Sequence, residues 1–293
     1  MSDVTVLGLG AMGATLAACL LRAGLDVCVW NRTPDKAAPL VALGARQEKT
    51  AGDAIAASPV VITNIKSHLE TCAMLEPLAA SLAGKTVVEL STGDAVDAEK
   101  LVALLDSAGA DYMIGMINAY PSGIGKPDTT ILTVSQPETW DRHSKIVKLL
   151  GGKSAWIGTE PAALAAMFAG LFTARQGFMF GMIYGATVCQ KAGVPLAAYV
   201  QQLPVTMNLM QDYYRVFSET VPEGTYDDPE ASMATYAAAL DDALRTFQAT
   251  GAPEALPRLM YDQVRAAMEN GLHNKQMTAL VDYFLDPDGV QNR

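Results

Sequence analysis

The 293-residue sequence predicts an α/β half, a doubly wound parallel sheet, joined by one long helix to an all-α C-terminal domain. Three observations carry this. Short apolar runs alternate with helix-patterned segments over residues 1–158, the texture of a parallel sheet covered on both faces. After Gly158 the strand signals stop, and Ala, Met, Leu and Tyr recur at helical spacing. Between the halves, residues 161–191 read as one helix, opened by Pro161 and stopped by Gly193-Val-Pro195. Two domains are therefore expected, 1–158 and 159–293, near the roughly 150 residues of an ordinary domain.

Each element follows from its own pattern. Val4-Thr-Val-Leu7 is the first strand, and residues 12–23 form a helix closed by Gly24. Val27-Cys-Val-Trp30 is the second strand, followed by a helix over 34–43. Apolar runs at 60–63, 86–90, 111–114 and 130–134 supply further strands. Beyond the long helix, others are expected over 195–217, 229–250, 257–270 and 274–285, each starting near a proline or polar cap.

Composition narrows the function. An apolar fraction of 50% with 18% charged residues excludes a disordered chain. Twenty-one basic against 31 acidic residues give a net charge of −10, a poor match for nucleic acid or anionic membranes. Cys19, Cys28, Cys72 and Cys189 are scattered and form no Cys-x-x-Cys pair. A reducing, cytoplasmic setting and no metal site are expected. With a strand-like run from Val4, no leader peptide is expected. The 161–191 helix is apolar enough to suggest a membrane span, but Arg175-Gln176 interrupts it. A mid-bilayer guanidinium costs at least ~2.5 kcal/mol, so burial between protein layers is expected instead.

Gly8-Leu-Gly10-Ala-Met-Gly13 follows a strand and opens a helix. The first glycine permits the tight turn, the second close approach of backbone to a pyrophosphate, the third close helix–strand packing. Ala11 and Met12 then begin a helix whose free N–H groups suit an anion. This is the Rossmann dinucleotide pattern in its proper context. An NAD site usually carries an acidic residue after the second strand. Here Asn31, Arg32 and Thr33 stand there, with Lys36 a turn further on. That set suits a ribose 2′-phosphate, which predicts NADPH. Asn64, Ile65 and Ser67 leave the 60–63 strand on the path to the nicotinamide ribose. His68 beside them is expected at the surface. Ser91 and Thr92 end the next strand, placed either to meet nicotinamide or substrate or to cap the following helix.

These features resemble the β-hydroxyacid dehydrogenase superfamily, and within it the NADPH-dependent imine reductases and reductive aminases. The matching stretches are the glycine loop, Val29-Trp-Asn-Arg-Thr33, Ile114-Gly-Met-Ile-Asn-Ala-Tyr-Pro121 with Ile124-Gly125, Gly158-Thr-Glu-Pro161, and Gly224-Thr-Tyr226. The resemblance implies a homodimer that exchanges the interdomain helix and builds each active site from both chains. It also implies that the hydroxyacid branch would carry a lysine on that helix; between Ser154 and Gln190 there is neither lysine nor histidine. Imine reductases place an aspartate or tyrosine there, and the corresponding position is Phe168. The family's asparagine near Ser91 is Thr92 in this chain.

The implied activity is hydride transfer to a cyclic or conjugated C=N bond of a small molecule, in biosynthesis, without the usual helix acid. A substrate arriving as an iminium needs no acid, and an apolar wall of Met167, Phe168 and Phe172 would orient it. Otherwise Thr92, Tyr213, Tyr214 or Tyr236 is the candidate proton donor. The resemblance also places Met116, Asn118, Met207, Met210 and Met233 at the substrate pocket, though a Met/aromatic stripe is equally the stuff of a core. Three alternatives remain at this point. The Glu89-Leu-Ser-Thr92 run resembles the carboxylate-binding segment of the hydroxyacid branch, the protein could bind NADPH without catalysis, or it could reduce an activated C=C bond.

Overall fold

The computed structural model describes residues 1–287 and 289. The chain separates into two compact units, Met1–Phe172 and Thr173–Arg293. Residues 288 and 290–293 of the expected second domain lie outside the described residues.

The first unit is built on eight strands in the order β3-β2-β1-β4-β5-β6-β7-β8. They are β1 (Val4–Leu7), β2 (Val27–Trp30), β3 (Arg46–Gln47), β4 (Val60–Thr63), β5 (Thr86–Glu89), β6 (Asp111–Ile117), β7 (Ile131–Ser135) and β8 (Ala155–Trp156). The helices around them are α1 (Ala11–Arg22), α2 (Ala38–Val41), α3 (Ala51–Ala56), α4 (His68–Leu75), α5 (Ala95–Ser107), α6 (Pro137–Leu150) and the start of α7 (Pro161–Lys191). The order reverses between β1 and β4, whose register pairs Val4 with Val60 and Leu7 with Thr63. A crevice at such a switch point is where open α/β sheets bind ligands.

Alternate residues of each strand feed two cores. Val6, Val29, Ile62, Val88 and Met113 pack with α1 and α6 on one face. Leu7, Val61, Val87 and Ile114 pack with α3, α4 and α5 on the other. Leu164 of α7 joins this second core, with Phe168 packed against it. That packing explains why the first unit runs to Phe172 rather than ending at 158, and it brings one wall of the site into this unit.

Three details differ from the sequence reading. β7 runs antiparallel to β6, with Met113 opposite Ser135 and Ile117 opposite Ile131. The connection between them holds only a 3₁₀ turn at Pro121–Gly123, and a parallel neighbour would need a helical crossover. β3 and β8 are two-residue strands, too short to leave a periodic signal. Residues 34–43 divide into a 3₁₀ turn, Pro34–Ala37, and the single-turn α2.

The second unit is helical: the rest of α7, then α8 (Leu196–Thr220), α9 (Met233–Thr250), α10 (Ala255–Ala267) and α11 (Leu280–Leu285). Its small core gathers Met233, Val264, Ala267, Leu272 and Ala279. α9 starts at Met233 rather than 229 because the Ser232 hydroxyl caps it, accepting from the Thr235 N–H. Only the 277–285 part of the predicted 274–285 helix is helical, as the 3₁₀ turn Met277–Ala279 running into α11.

α7 corrects another expectation. It spans the predicted 31 residues, but Leu164 is the one buried position along it in the single chain. Met167, Leu171, Phe172, Met179, Phe180 and Ile183 are all more than a third exposed. By length and composition alone the helix could cross a membrane.

Candidate functional site

The site begins where β1 ends. Gly8 has φ +93°, and a Cβ there would lie 2.4 Å from the Asn64 carbonyl oxygen. A Cβ on Gly13 would lie 2.0 Å from the Gly8 oxygen, whereas one on Gly10 would meet nothing within 4 Å. Gly8 and Gly13 are thus fixed by backbone crossing, and Gly10 borders open space of the kind a pyrophosphate needs. Gly10 caps α1 without a side-chain bond, which leaves the N–H groups of Ala11, Met12 and Gly13 for an anion.

Asn31 does not present its amide to a ligand. Its Oδ1 accepts from the Leu9 N–H at 2.9 Å and its Nδ2 donates to the Thr33 carbonyl at 2.9 Å. The side chain clips the end of β2 to the glycine loop. Arg32, Thr33 and Lys36 are exposed around this clip, and among the described residues Arg32 has no salt-bridge partner. Two exposed cations, Arg32 and Lys36, suit a 2′-phosphate.

A cavity of about 260 Å³ opens at the C-terminal ends of β4, β5 and β6. Met12, Asn64, Ile65, Ser91, Thr92 and Met116 all line it. Its loops are stitched together: Asn64 Nδ2 donates to the Leu90 carbonyl at 2.6 Å, and the Ile65 N–H donates to Ser91 Oγ at 2.9 Å. Ser67 is spent on capping α4, accepting from the Glu70 N–H at 3.2 Å. Thr92 is exposed at the rim, with its hydroxyl 3.4 Å from the Lys66 carbonyl. From α7, Leu164, Ala165 and Phe168 form an apolar wall, and Phe172 stacks on Phe168 with ring centroids 5.3 Å apart.

The remaining sequence-predicted residues divide between the two units. Asn118 is exposed beyond β6, and Met167 is 41% exposed and away from the cavity lining. Met207, Met210, Tyr213 and Tyr214 on α8 and Tyr236 on α9 belong to the helical unit. Burial pushes the Tyr213 phenol up from its ordinary value. Met233 is fully buried in that unit's core and is a packing residue, because α9 turns it toward Val264 and Leu272.

His68 is the largest correction. It is 4% exposed, not a surface residue, and it lines the cavity. Its Nδ1 lies 3.0 Å from Oε1 of Glu89, which is wholly buried. The Glu89 carboxylate also accepts from Thr71 Oγ1 at 3.1 Å and from Thr63 Oγ1. A Cβ on Gly93 would fall 2.3 Å from His68 Cδ2, so the glycine makes room for the ring. A signal was present in the sequence. An acid inside the apolar run Thr86-Val-Val-Glu-Leu90 must find partners, because an unpaired buried carboxylate is prohibitively costly.

Comparison with known proteins adds the family. The model for the NAD binding domain of 6-phosphogluconate dehydrogenase matches residues 3–158, and that for the NADPH-dependent reductive aminase-like C-terminal domain matches 161–286. The chain belongs to the imine reductase and reductive aminase family. An NADPH-dependent reductive aminase from Aspergillus oryzae is 25% identical over 285 residues, 96% of each chain. The structure of an imine reductase from Pseudomonas sp. superposes with a TM-score of 0.88 at 29% identity, over 97% of this chain and 99% of the other. A reductive aminase from Aspergillus terreus, solved with NADPH4, cyclohexanone and allyl amine, gives a TM-score of 0.85 at 28% identity, over 97% and 99%.

The crossing at Gly13 is directly testable in this family member. Gly13→Ala forces a Cβ against the Gly8 carbonyl and is expected to destabilise the first unit by about 1–3 kcal/mol. Gly10→Ala meets no atom and should leave thermal unfolding unchanged. Equal melting temperatures for Gly13→Ala and wild type would contradict the geometry.

Proposed function

We propose that the protein transfers hydride from NADPH to the C=N bond of a small cyclic or conjugated imine or iminium, as a biosynthetic enzyme of the cytoplasm. The observation that carries the reading is the cavity itself. It adjoins the glycine loop at the switch point, and its far wall is apolar and built around Phe168. The residues present fit NADPH: open space at Gly10, free N–H groups on α1, and Arg32 with Lys36 after β2. When bound, the cofactor supplies hydride from C4 of its nicotinamide. The chain's own part is to orient and desolvate the acceptor. A flat substrate between Met116 and Phe168 loses little freedom on binding, and holding reactants in line supplies much of a rate.

In this reading Phe168 stands where the family resemblance places an acid. The Phe168 ring, backed by Phe172, offers a π face to a cationic C=N group instead. The absence of lysine and histidine between Ser154 and Gln190 disfavours hydroxyacid chemistry driven from α7. The four cysteines are free thiols, which supports a reducing compartment.

We propose further that two chains pair along α7 and α8, sharing their active sites. Phe180, Ile183, Val200, Val205 and Leu209 are each over half exposed in the single chain, large apolar side chains of the kind a protein partner covers. Covering it explains why a 31-residue helix of this composition belongs to an otherwise water-compatible fold.

Three outcomes test these statements. NADPH should be preferred over NADH by about tenfold or more in kcat/KM, and Arg32→Ala should remove about 1.5–3 kcal/mol of that preference as a charge-assisted bond is lost. Equal use of both cofactors by the wild type would contradict the assignment of Arg32. Light scattering at micromolar concentration should give a dimer, and a stable active monomer would exclude the shared site. Phe168→Leu keeps an apolar wall but removes the ring. It should raise KM for a cationic iminium by roughly threefold or more, the scale of a partly desolvated cation–π contact, with KM for a neutral imine affected less.

A further inference from the structure

Reducing C=N requires a proton as well as a hydride, and the α7 wall of Leu164, Ala165 and Phe168 offers no proton. We propose that His68, held by the buried carboxylate of Glu89, is the catalytic acid of this site and delivers the proton from Nε2 to the substrate nitrogen. The inference rests on the C=N reading of the preceding section.

The geometry assigns each atom a role. Glu89 is an acceptor when ionised, and it takes the hydroxyl protons of Thr63 and Thr71 together with the N–H at His68 Nδ1. That contact fixes the ring's tautomer and orientation, the arrangement by which a buried carboxylate supports a histidine in acyl-transfer triads. Nε2 has no hydrogen-bond partner among the described residues, and His68 lines the cavity. Gly93 lies against the Cδ2 edge beside it, and a side chain at that position would push the ring away.

The other ionisable groups near His68 are otherwise engaged. On its own element and the loop before it, Lys66 and Glu70 pair with each other at 3.4 Å. On α5, Asp94 caps the helix through the Asp97 N–H, and Asp97 pairs with Lys100. Burial raises the Cys72 thiol, with Glu89 adding to the shift, so it is a poor acid. From β5 only Glu89 faces the ring.

The step balances as follows. The imine nitrogen's lone pair takes the proton of Nε2–H, which leaves neutral imidazole and a bound iminium. Hydride then adds two electrons to carbon, the C=N π pair returns to nitrogen as its lone pair, and the cofactor is oxidised to NADP⁺. Solvent reprotonates Nε2 between turnovers. Glu89 is a positioning residue and changes no bond.

The test compares 3,4-dihydroisoquinoline with its permanently charged N-methyl iminium, across neutral and alkaline pH. His68→Asn puts an amide nitrogen where Nδ1 was, so it keeps the bond to Glu89 and removes the acid. Its melting temperature and NADPH affinity should stay near wild type. Above the imine's own pKa its kcat on the neutral imine should fall ~10²-fold or more, the scale of general acid catalysis. On the N-methyl iminium it should change less than about threefold, since no proton is required. Glu89→Gln should lower kcat on the neutral imine and leave KM nearly unchanged. A second readout needs no turnover: the chain has three histidines, so ¹⁵N-histidine NMR isolates the His68 ring by difference from His68→Asn. A downfield Nδ1 proton that weakens in Glu89→Gln, with a protonated Nε2 in the active pH range, is expected. The proposal is overturned if His68→Asn reduces the neutral imine normally, or if it slows both substrates equally. An Nε2 that never carries a proton while the wild type is active overturns it without any variant. If the wild type reduces neither substrate, the C=N reading fails first and this inference falls with it.

Discussion

One buried carboxylate organises the site. Glu89 ends β5 with no exposed surface, and such a charge persists only if its lone pairs are met by donors. They come from three places in the chain: Thr63 at the end of β4, and His68 and Thr71 on the first turns of α4. Satisfying the charge therefore clamps α4 against β5 and fixes the short loop that leaves β4. That loop carries Asn64, whose carbonyl lies against Gly8 at the glycine turn. The anion-binding end and the reactive end of the site are thus connected through one polar cluster. Removing a single partner from a buried charge costs on the order of 3–5 kcal/mol, which makes the cluster hard to change piecemeal.

The cavity divides its chemistry between opposite walls. The sheet side supplies hydroxyls, backbone carbonyls and the His68 ring, all held by elements of the first unit. The helix side supplies Leu164, Ala165 and Phe168, which set shape and exclude water without offering a proton. Water exclusion strengthens every electrostatic interaction inside, so the apolar wall also strengthens the contact between His68 and Glu89. Phe168 belongs to the second core as well as to the cavity, so its position is set by packing against Leu164's neighbours rather than by a ligand.

Legibility in the sequence followed the range of the interactions. The glycine turn could be read because strand, turn and helix are contiguous, and their order alone dictates the geometry. Long elements such as α7 and α8 declared themselves by periodicity and by Pro161 and Pro195 at their starts. β3 and β8 did not, since two residues carry no period, and β7's direction depended on a connection without a helix. Asn31 was read as a ligand group because the structure's use for it, the Leu9 N–H, lies 22 residues away. His68 and Glu89 are 21 residues apart and meet only once β4 and β5 are paired. Met233 shows the converse: a residue placed by resemblance at a pocket is consumed by the core of its own unit.

Where the proton donor sits bears on how freely the substrate wall can vary. A donor on α7 would share a helix with the residues that shape the cavity, so a change of substrate would disturb proton transfer. His68 is instead held by the Glu89 carboxylate, itself bonded by Thr63 and Thr71, and none of these three lines the cavity. Phe168 and its neighbours can then change size without moving Nε2. The same separation explains the demand for glycine at position 93. The loop after β5 has to pass over the imidazole, and an added Cβ at 2.3 Å from the ring would leave no space for any larger residue. A glycine without positive φ, kept in a loop that lines a cavity, is there for its neighbour and not for its own backbone.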